Sequence, residues 1–422
     1  MRILISHPNY PAQFRRLAPS LVALGHDVVF LHATAEWHAP DAGGVRLLRY
    51  EPHRSAGGAA IHPYLRRFEA AVLQGQAAYR ACEQLRHQGW RPDLIINHVG
   101  FGNGLYLSDA FAGVPRIGLF EWYYNAYGSD VDFLRHGVVE PDRQLRLRGW
   151  NAQLLLELAA CDRAVCPTHW QRQQFPPRWR DHLQVIHEGI DVEALAGLSR
   201  AGLPRPGCLP PDPQLEVVTY VSRGFEEYRG FPQAIAALAR LQQLRPQAHV
   251  LLVGSDVVAY GSHRSDGRSW RDWALQQGGL DPARTHWLGV LQSEAYHQVL
   301  ACSTVHLYLT IPFVLSWSLL EAMAAGCAIV ASATAPVQEV LQHGRSALLV
   351  DFFDPEAQAQ AMAALLADAP RRQALVQGAA AAAQAYGAQQ GLAAWLALLE
   401  STVCVDTDQS APARCTGSAS AV

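Results

Sequence analysis

The chain of 422 residues contains no lysine; all 34 of its basic residues are arginines. That absence excludes Schiff-base and pyridoxal-phosphate chemistry and the Walker phosphate loop, each of which needs the amine. An anion clamp here must use guanidinium, which is permanently charged and can grip phosphate through two parallel hydrogen bonds. No Cys-x-x-Cys pair occurs among the eight cysteines, and Cys302 and Cys327 lie in apolar contexts that read as small core residues. The 18 histidines are scattered without metal-ligand spacing, and "HEGID" at 187–191 lacks the second histidine of a zinc helix. There is no long basic run, and 34 basic against 37 acidic residues give a formal charge of −3, which argues against nucleic acid as a partner. No stretch reaches the roughly 18 apolar residues of a membrane span, and the opening MRILIS is too short for a signal peptide. A reduced, cytoplasmic protein is expected, with room left for weak peripheral contact at the inner membrane face.

What is present suits an ordinary folded protein of two domains: half the residues are hydrophobic and 17% are charged. The first half repeats one rhythm of short apolar run, polar loop and helical stretch. Strands are expected at 2–6, 28–33, 94–97, 116–120, 164–168 and 183–187, with helices at 12–24, 64–88 and 142–160. Residues 197–214 then carry five prolines and three glycines and read as a linker. The rhythm restarts with strands at 216–222, 249–253, 285–288, 305–310, 328–332 and 347–350, separated by helical stretches. The expected fold class is α/β, two Rossmann-like doubly wound domains facing across a cleft. The domains run 1–200 and 215–370 around a linker at 201–214. Helices follow at 371–400, the last packing back on the N-terminal domain, and 401–422 is expected to be a disordered tail.

Open parallel sheets bind ligands beyond the carboxyl ends of their strands, so residues just after strands are the informative ones. No Gly-x-Gly-x-x-Gly follows the first strand, which argues against a nicotinamide dehydrogenase. Strand 216–222 runs into "SRGFEEYRGF", where Arg223 and Arg229 flank a loop and Gly230 opens a helix. Two arginines beside a helix N-terminus make a pyrophosphate site; the bland alternative is solvated arginines, or partners for Glu226 and Glu227. "PFVLSWSLLEAMAAGCAIVAS" follows the strand at 305–310. Its helix, starting near Ser316, offers the backbone amides of Leu315 and Ser316 to an anion, and it carries Glu321 among apolar neighbours. A lone carboxylate there suggests contact with nucleotide hydroxyls, because functional sites are where costly buried charges survive.

Together with "LLVGSD", "WLGVLQSEAYHQVLACSTVHLYLT" and "PVQEVLQHGRSALLVDFFDP", these segments resemble the donor half of a retaining glycosyltransferase of family 4, of the GT-B fold and the glycosyl transferases of group 1. The resemblance spans 216 to about 370, and "VIHEGID" at 185–191 resembles the family's strand before the linker. It implies a nucleotide-diphosphate sugar as donor, no separate cofactor, and a glycan or lipid-linked acceptor. It sets Arg223 and Arg229 against the donor diphosphate and Glu321, the second glutamate of the family's motif, on the ribose. Glu339 matches a glutamate often found before a helix on the donor side. In such retaining enzymes the leaving phosphate itself is thought to take the acceptor's proton, so neither a base nor a metal is required.

The chain departs from the family where the first motif glutamate belongs: the residue is Phe313. In the N-terminal half, Glu121 follows a strand where family members often carry a histidine close to the donor sugar. His98, Asn9 and Gln13 also fall after strands and could face the sugar or the acceptor. For Trp122, Tyr123 and Tyr124 core packing is the default reading and sugar stacking the sharper one. "SDVDF", with Asp130 and Asp132, reads as a loop. Two rivals keep the same architecture: a nucleotide-sugar epimerase and a degenerate protein that binds nucleotide sugar without turnover.

Overall fold

The computed structural model describes residues 1–34, 42–58, 60–198, 202–212 and 214–409, without the side chains of 404–409. Two parallel sheets dominate. The first joins β1 (Arg2–Ser6), β2 (Asp27–His32), β3 (Arg46–Arg49), β4 (Leu94–Val99), β5 (Arg116–Phe120), β6 (Arg163–Cys166) and β7 (Leu183–Val185), in the order β3-β2-β1-β4-β5-β6-β7. The second joins β8 (Val217–Gly224), β9 (His249–Ser255), β10 (Thr285–Gly289), β11 (Val305–Tyr308), β12 (Ala328–Ser332) and β13 (Leu348–Val350), in the order β10-β9-β8-β11-β12-β13. Helices cover both faces of each sheet, which is why β4, LIINHV, and β12, AIVAS, are buried at every position.

Each strand order reverses once, between β1 and β4 in the first sheet and between β8 and β11 in the second. Loops leaving neighbouring strands diverge at such a point and open a crevice. His7, Asn9 and His98 therefore lie at one switch point, and Arg223, Thr310 and Phe313 at the other. The register of β8 against β9 shifts between Val221 and Gly224. Irregularities of this kind re-aim a side chain, here that of Arg223.

Four elements differ from the sequence reading. β3 was absent from it, because RLLR is a short edge strand bounded by arginines and has almost no apolar pattern. The stretch 142–160 is two helices, Pro141–Trp150 and Ala152–Ala160, divided at Asn151, whose side chain bonds both the amide and the carbonyl of Tyr124. "SDVDF" is not a loop but a short helix, Asp130–Phe133, held by a Ser129/Asp132 capping box. The expected tail is helical at its start, since the helix Ala388–Gln409 runs through it; 410–422 lie outside the described residues. Burial explains that extension: Trp395, Leu398 and Leu399 pack into the core of the first sheet, beside Ile3, Phe14 and Ile117.

The chain crosses between the domains twice, at residues 186–192 and 386–391. The two passes touch: Ile190 bridges Gly387, and the Ala388 amide donates to the Ile190 carbonyl at 2.7 Å. Gly189 sits at φ +78, and a Cβ there would lie 2.5 Å from the Ala388 backbone. Only glycine fits the crossing.

Candidate active site

A cavity of about 1260 Å³ separates the carboxyl ends of the two sheets. Sites for one small ligand run roughly 300–1,000 Å³, so this one has space for two substrates. Asn9, Gln13, His98 and Glu121 line one wall; Arg223, Arg229, Leu315 and Ser316 line the other.

On the C-terminal wall Arg223 is exposed into the cleft, and its side chain meets no partner among the described residues. Arg229 is buried, with Nη1 donating to Thr310 Oγ1 and the Val314 carbonyl, both at 2.9 Å. It braces the loop between β11 and the helix Trp317–Ala324 while still lining the cavity. Neither arginine pairs with Glu226 or Glu227. Glu226, fully buried, accepts instead from the amides of Tyr260 and Gly261 at 3.0 and 2.7 Å. Those bonds hold the Tyr260 ring 5.4 Å from the Arg229 guanidinium. Gly230, at φ +60, starts the next helix against Leu309, where a Cβ would approach to 2.6 Å. The two expected amide donors differ. The Ser316 amide already donates to the Tyr308 hydroxyl at 3.0 Å, whereas the Leu315 amide has no bond among the described residues.

On the N-terminal wall four expected residues come together. His98 Nε2 stands 3.3 Å from Glu121 Oε2, and Gln13 donates to the other carboxylate oxygen at 2.6 Å. Burial alone would raise the Glu121 carboxyl. The His98 ring, the Gln13 amide and His187 outweigh it and hold that carboxyl below the usual range. His7 packs edge-on to His98 and accepts from the Asn9 amide at 2.8 Å. Burial, then His98, keep the pKa of His7 well below the ordinary histidine value.

Two donor-side expectations meet a different geometry. Glu321 and Glu339 stand behind the cavity wall, not on it. Glu321 accepts from the Tyr296 hydroxyl at 3.0 Å and faces Arg15 of the N-terminal domain at 3.8 Å. Burial and that carboxylate push the Tyr296 hydroxyl well up, so it remains a donor. Arg15 also lies 4.2 Å over the Trp317 ring, and Trp317 Nε1 donates to Glu188. Glu339 spends both oxygens on the amides of His169 and Trp170, at 2.9 and 2.6 Å. It caps a helix of the facing domain, because two free N–H groups there attract a carboxylate as a donor ligand would.

The sequence reading missed the centre of the cleft. Phe313 is enclosed by rings: Trp122 at 4.8 Å, Tyr228 at 5.2 Å and Tyr260 at 5.3 Å. Trp122 comes from the opposite domain, and the Tyr228 hydroxyl donates across the same gap to Asp130 at 2.8 Å. Trp122 thus neither packs in its own domain's core nor stands free. It closes against the residue that replaces the motif glutamate. No local pattern signals this, since the partners come from different domains.

Comparison with known proteins decides the family. Residues 24–195 match the model of the glycosyl transferase family 4 group, and 216–368 that of the glycosyl transferases group 1. The chain belongs to the group 1 glycosyltransferases. No curated protein sequence matches it. Among solved structures it resembles sucrose-phosphate synthase of Thermosynechococcus elongatus, at 20% identity and a TM-score of 0.67, covering 96% of this chain and 100% of that one. It also resembles a trehalose-phosphate synthase of Burkholderia vietnamiensis, at 17% identity and 0.71, covering 96% and 99%. The HepE protein of Anabaena, solved with UDP and glucose, matches at 18% and 0.64 over 95% and 100%. At these identities the likeness establishes the fold, GT-B, with two Rossmann-like domains. Among the described residues of this transferase no helix is long and apolar enough to cross a membrane.

Proposed function

We propose that this glycosyltransferase moves a hexose or related sugar from a nucleotide-diphosphate donor to an acceptor hydroxyl, with retention and without a metal. One observation carries the reading: Arg223 and Arg229 stand with the Leu315 amide at the switch point of the second sheet, facing His98, Glu121 and Gln13 across one cavity. Cleavage of the donor bond builds negative charge on the leaving diphosphate and positive charge on the sugar ring. Fixed guanidinium and amide donors stabilise the first, and a single well-placed donor contributes roughly 3–4 kcal/mol. Glu121, kept ionised by its neighbours, lies on the wall where the second charge develops. Glu321 would take the nucleotide's ribose hydroxyls once Arg15 swings aside, a step that fits domain opening about the Gly189 crossing. The relative solved with UDP and glucose supports a nucleotide-sugar donor. The acceptor is a glycan or a lipid-linked sugar, and the leaving phosphate takes its proton.

The test is release of nucleoside diphosphate from a panel of nucleotide sugars, with and without acceptors, and with a chelator. Acceptor-dependent release that survives the chelator, with the anomeric configuration kept, is the expected result. The aromatic enclosure of Phe313 favours one rival, a protein that binds nucleotide sugar without turnover; tight binding with no release under any acceptor would establish that instead.

A further inference from the structure

The cavity is richer in cations than a donor diphosphate requires. Five arginines line it against three carboxylates, Glu121, Asp130 and Glu188. Arg223 and Arg229 belong to the C-terminal wall. Arg67, Arg143 and Arg146 belong to the other, and the donor reading gives them nothing to do.

We propose that Arg67, Arg143 and Arg146 form a second anion subsite that receives a phosphate carried by the acceptor. The inference rests on the transferase reading and adds the acceptor's class to it. The helix Pro141–Trp150 brings Arg143, Arg146 and Trp150 to one face, three and seven residues apart, and all three line the cavity. Arg67, in the first turn of the helix Arg66–His87, lies 4.9 Å over the Trp150 ring and 4.4 Å over that of Tyr124, and donates to the Tyr124 hydroxyl. Arg67 thus rests on the Tyr124 and Trp150 rings, and Trp150 stands on the helix that carries the other two guanidiniums.

Their protein partners leave charge over. Arg146 pairs with Asp142 at the rim, and that carboxylate also accepts from the Tyr64 hydroxyl at 2.6 Å. Arg143 makes no ion pair or hydrogen bond among the described residues, and its Nε is buried without a partner. The carboxylate that acts on it electrostatically, Asp130, is already taken by the Tyr228 hydroxyl and makes no ion pair with Arg143 among the described residues, so much of that charge is left unmatched. A buried guanidinium N–H left unpaired is costly, and an anion whose two oxygens bridge Nε and an Nη of this half-buried side chain removes that cost. Tyr228 touches both Asp130 and Phe313, so the subsite adjoins the point where the sugar changes hands.

The phosphate could arrive on a soluble sugar or on a lipid headgroup, and the experiment separates these. The full chain is titrated calorimetrically with glucose 6-phosphate, glucose, glucuronate and UDP, and sedimented with phosphatidylinositol vesicles. The Arg143→Gln/Arg146→Gln and Arg223→Gln variants are treated alike. The expected result is glucose 6-phosphate binding at least tenfold tighter than glucose or glucuronate, weakened tenfold or more by the double variant, with UDP affinity unchanged. Vesicle binding lost in the double variant, with glucose 6-phosphate inert, supports the same subsite with a lipid source. Phosphate binding that survives the double variant, that disappears with Arg223→Gln instead, or that is absent from the wild type in both forms overturns the proposal. So does glucuronate binding as tightly as the sugar phosphate. Failure of UDP to bind, or its indifference to Arg223→Gln, sinks the donor reading on which this one rests and is told apart from failure of the subsite, which leaves UDP binding intact.

Discussion

The two walls of the cleft are built differently. On the C-terminal side most polar groups are engaged before any ligand arrives: Arg229 holds Thr310 and Val314, the Tyr308 hydroxyl takes the Ser316 amide, and Glu226 fixes the 260–261 backbone. Among the described residues on that side, Arg223, on an irregular strand end, and the Leu315 amide are left free. On the N-terminal side His98 and Glu121 meet only loosely, at 3.3 Å, and Arg143 and the indole nitrogen of Trp122 lack partners. The first wall is preorganised, as electrostatic stabilisation of a leaving group requires. The second leaves more of its polar groups uncommitted, which fits the acceptor side proposed for it.

The sharpest way to break this contrast is Arg223→Ala. Arg223 is the uncommitted cation on the rigid wall among the described residues, and its loss should lower turnover about 10²–10³-fold, by analogy with loss of one preorganised oxyanion donor. The fold should be untouched, because the side chain is exposed and makes no hydrogen bond or ion pair among the described residues. Nucleoside diphosphate release measures the first and thermal unfolding the second; undiminished release would refute the role.

Acid tests both walls together. His306, beneath the C-terminal wall, is fully buried and bonded to Thr219 at 2.8 Å, and burial pushes its pKa down from 6.5 to about 4. A histidine depressed in the fold binds its proton in the unfolded chain first. Its share of stability is therefore intact above pH 6.5 and lost as pH falls towards 4, a cost on the order of 3 kcal/mol for His306. His7 acts with the same sign on the other wall. Urea midpoints at pH 7 and 4.5 should converge for His306→Gln more than for the wild type; equal slopes would show that the ring is not held neutral.

Arg229→Lys separates charge from geometry on the preorganised side. Lysine keeps the charge, but its shorter side chain does not carry an N–H donor to where Nη1 of Arg229 meets Thr310 and Val314. The bonds it fails to remake should cost about 1–3 kcal/mol in stability. Turnover should fall as well, because the 310–316 loop loses its brace. A variant as stable as the wild type would mean that the loop is held by packing alone.

The same contrast explains what could be read from the sequence. Strands buried on both faces announce themselves as short apolar runs, so β1, β4, β8 and β12 were legible, and with them the positions of Arg223, His98 and Glu121 at strand ends. Features set by contact between the domains were not. Glu321 and Glu339 both sit on short helices, and nothing in their neighbours shows that Glu339 caps a helix of the other domain while Glu321 faces Arg15. Trp122 and Phe313 each look like ordinary core residues; only the folded cleft makes them one enclosure. Asp130, read as part of a loop, turns out to receive a bond across the gap.

That bond gives the smallest and most discriminating prediction. Tyr228→Phe keeps the ring against Phe313 and removes only the hydroxyl that reaches Asp130. One hydrogen bond to a charged group contributes roughly 1.5–3 kcal/mol, but Asp130 keeps its bond to Ser129 and the attraction of Arg143, so the net loss should stay near 1 kcal/mol. Small-angle scattering should report a wider apo cleft, because the bond is one of few that latch the domains directly. Arg143, drawn towards Asp130, should then hold an added phosphate less well. If the cleft stays closed and phosphate binding is unchanged, the aromatic enclosure alone holds the walls together, and Asp130 plays no part in positioning the arginine beside it.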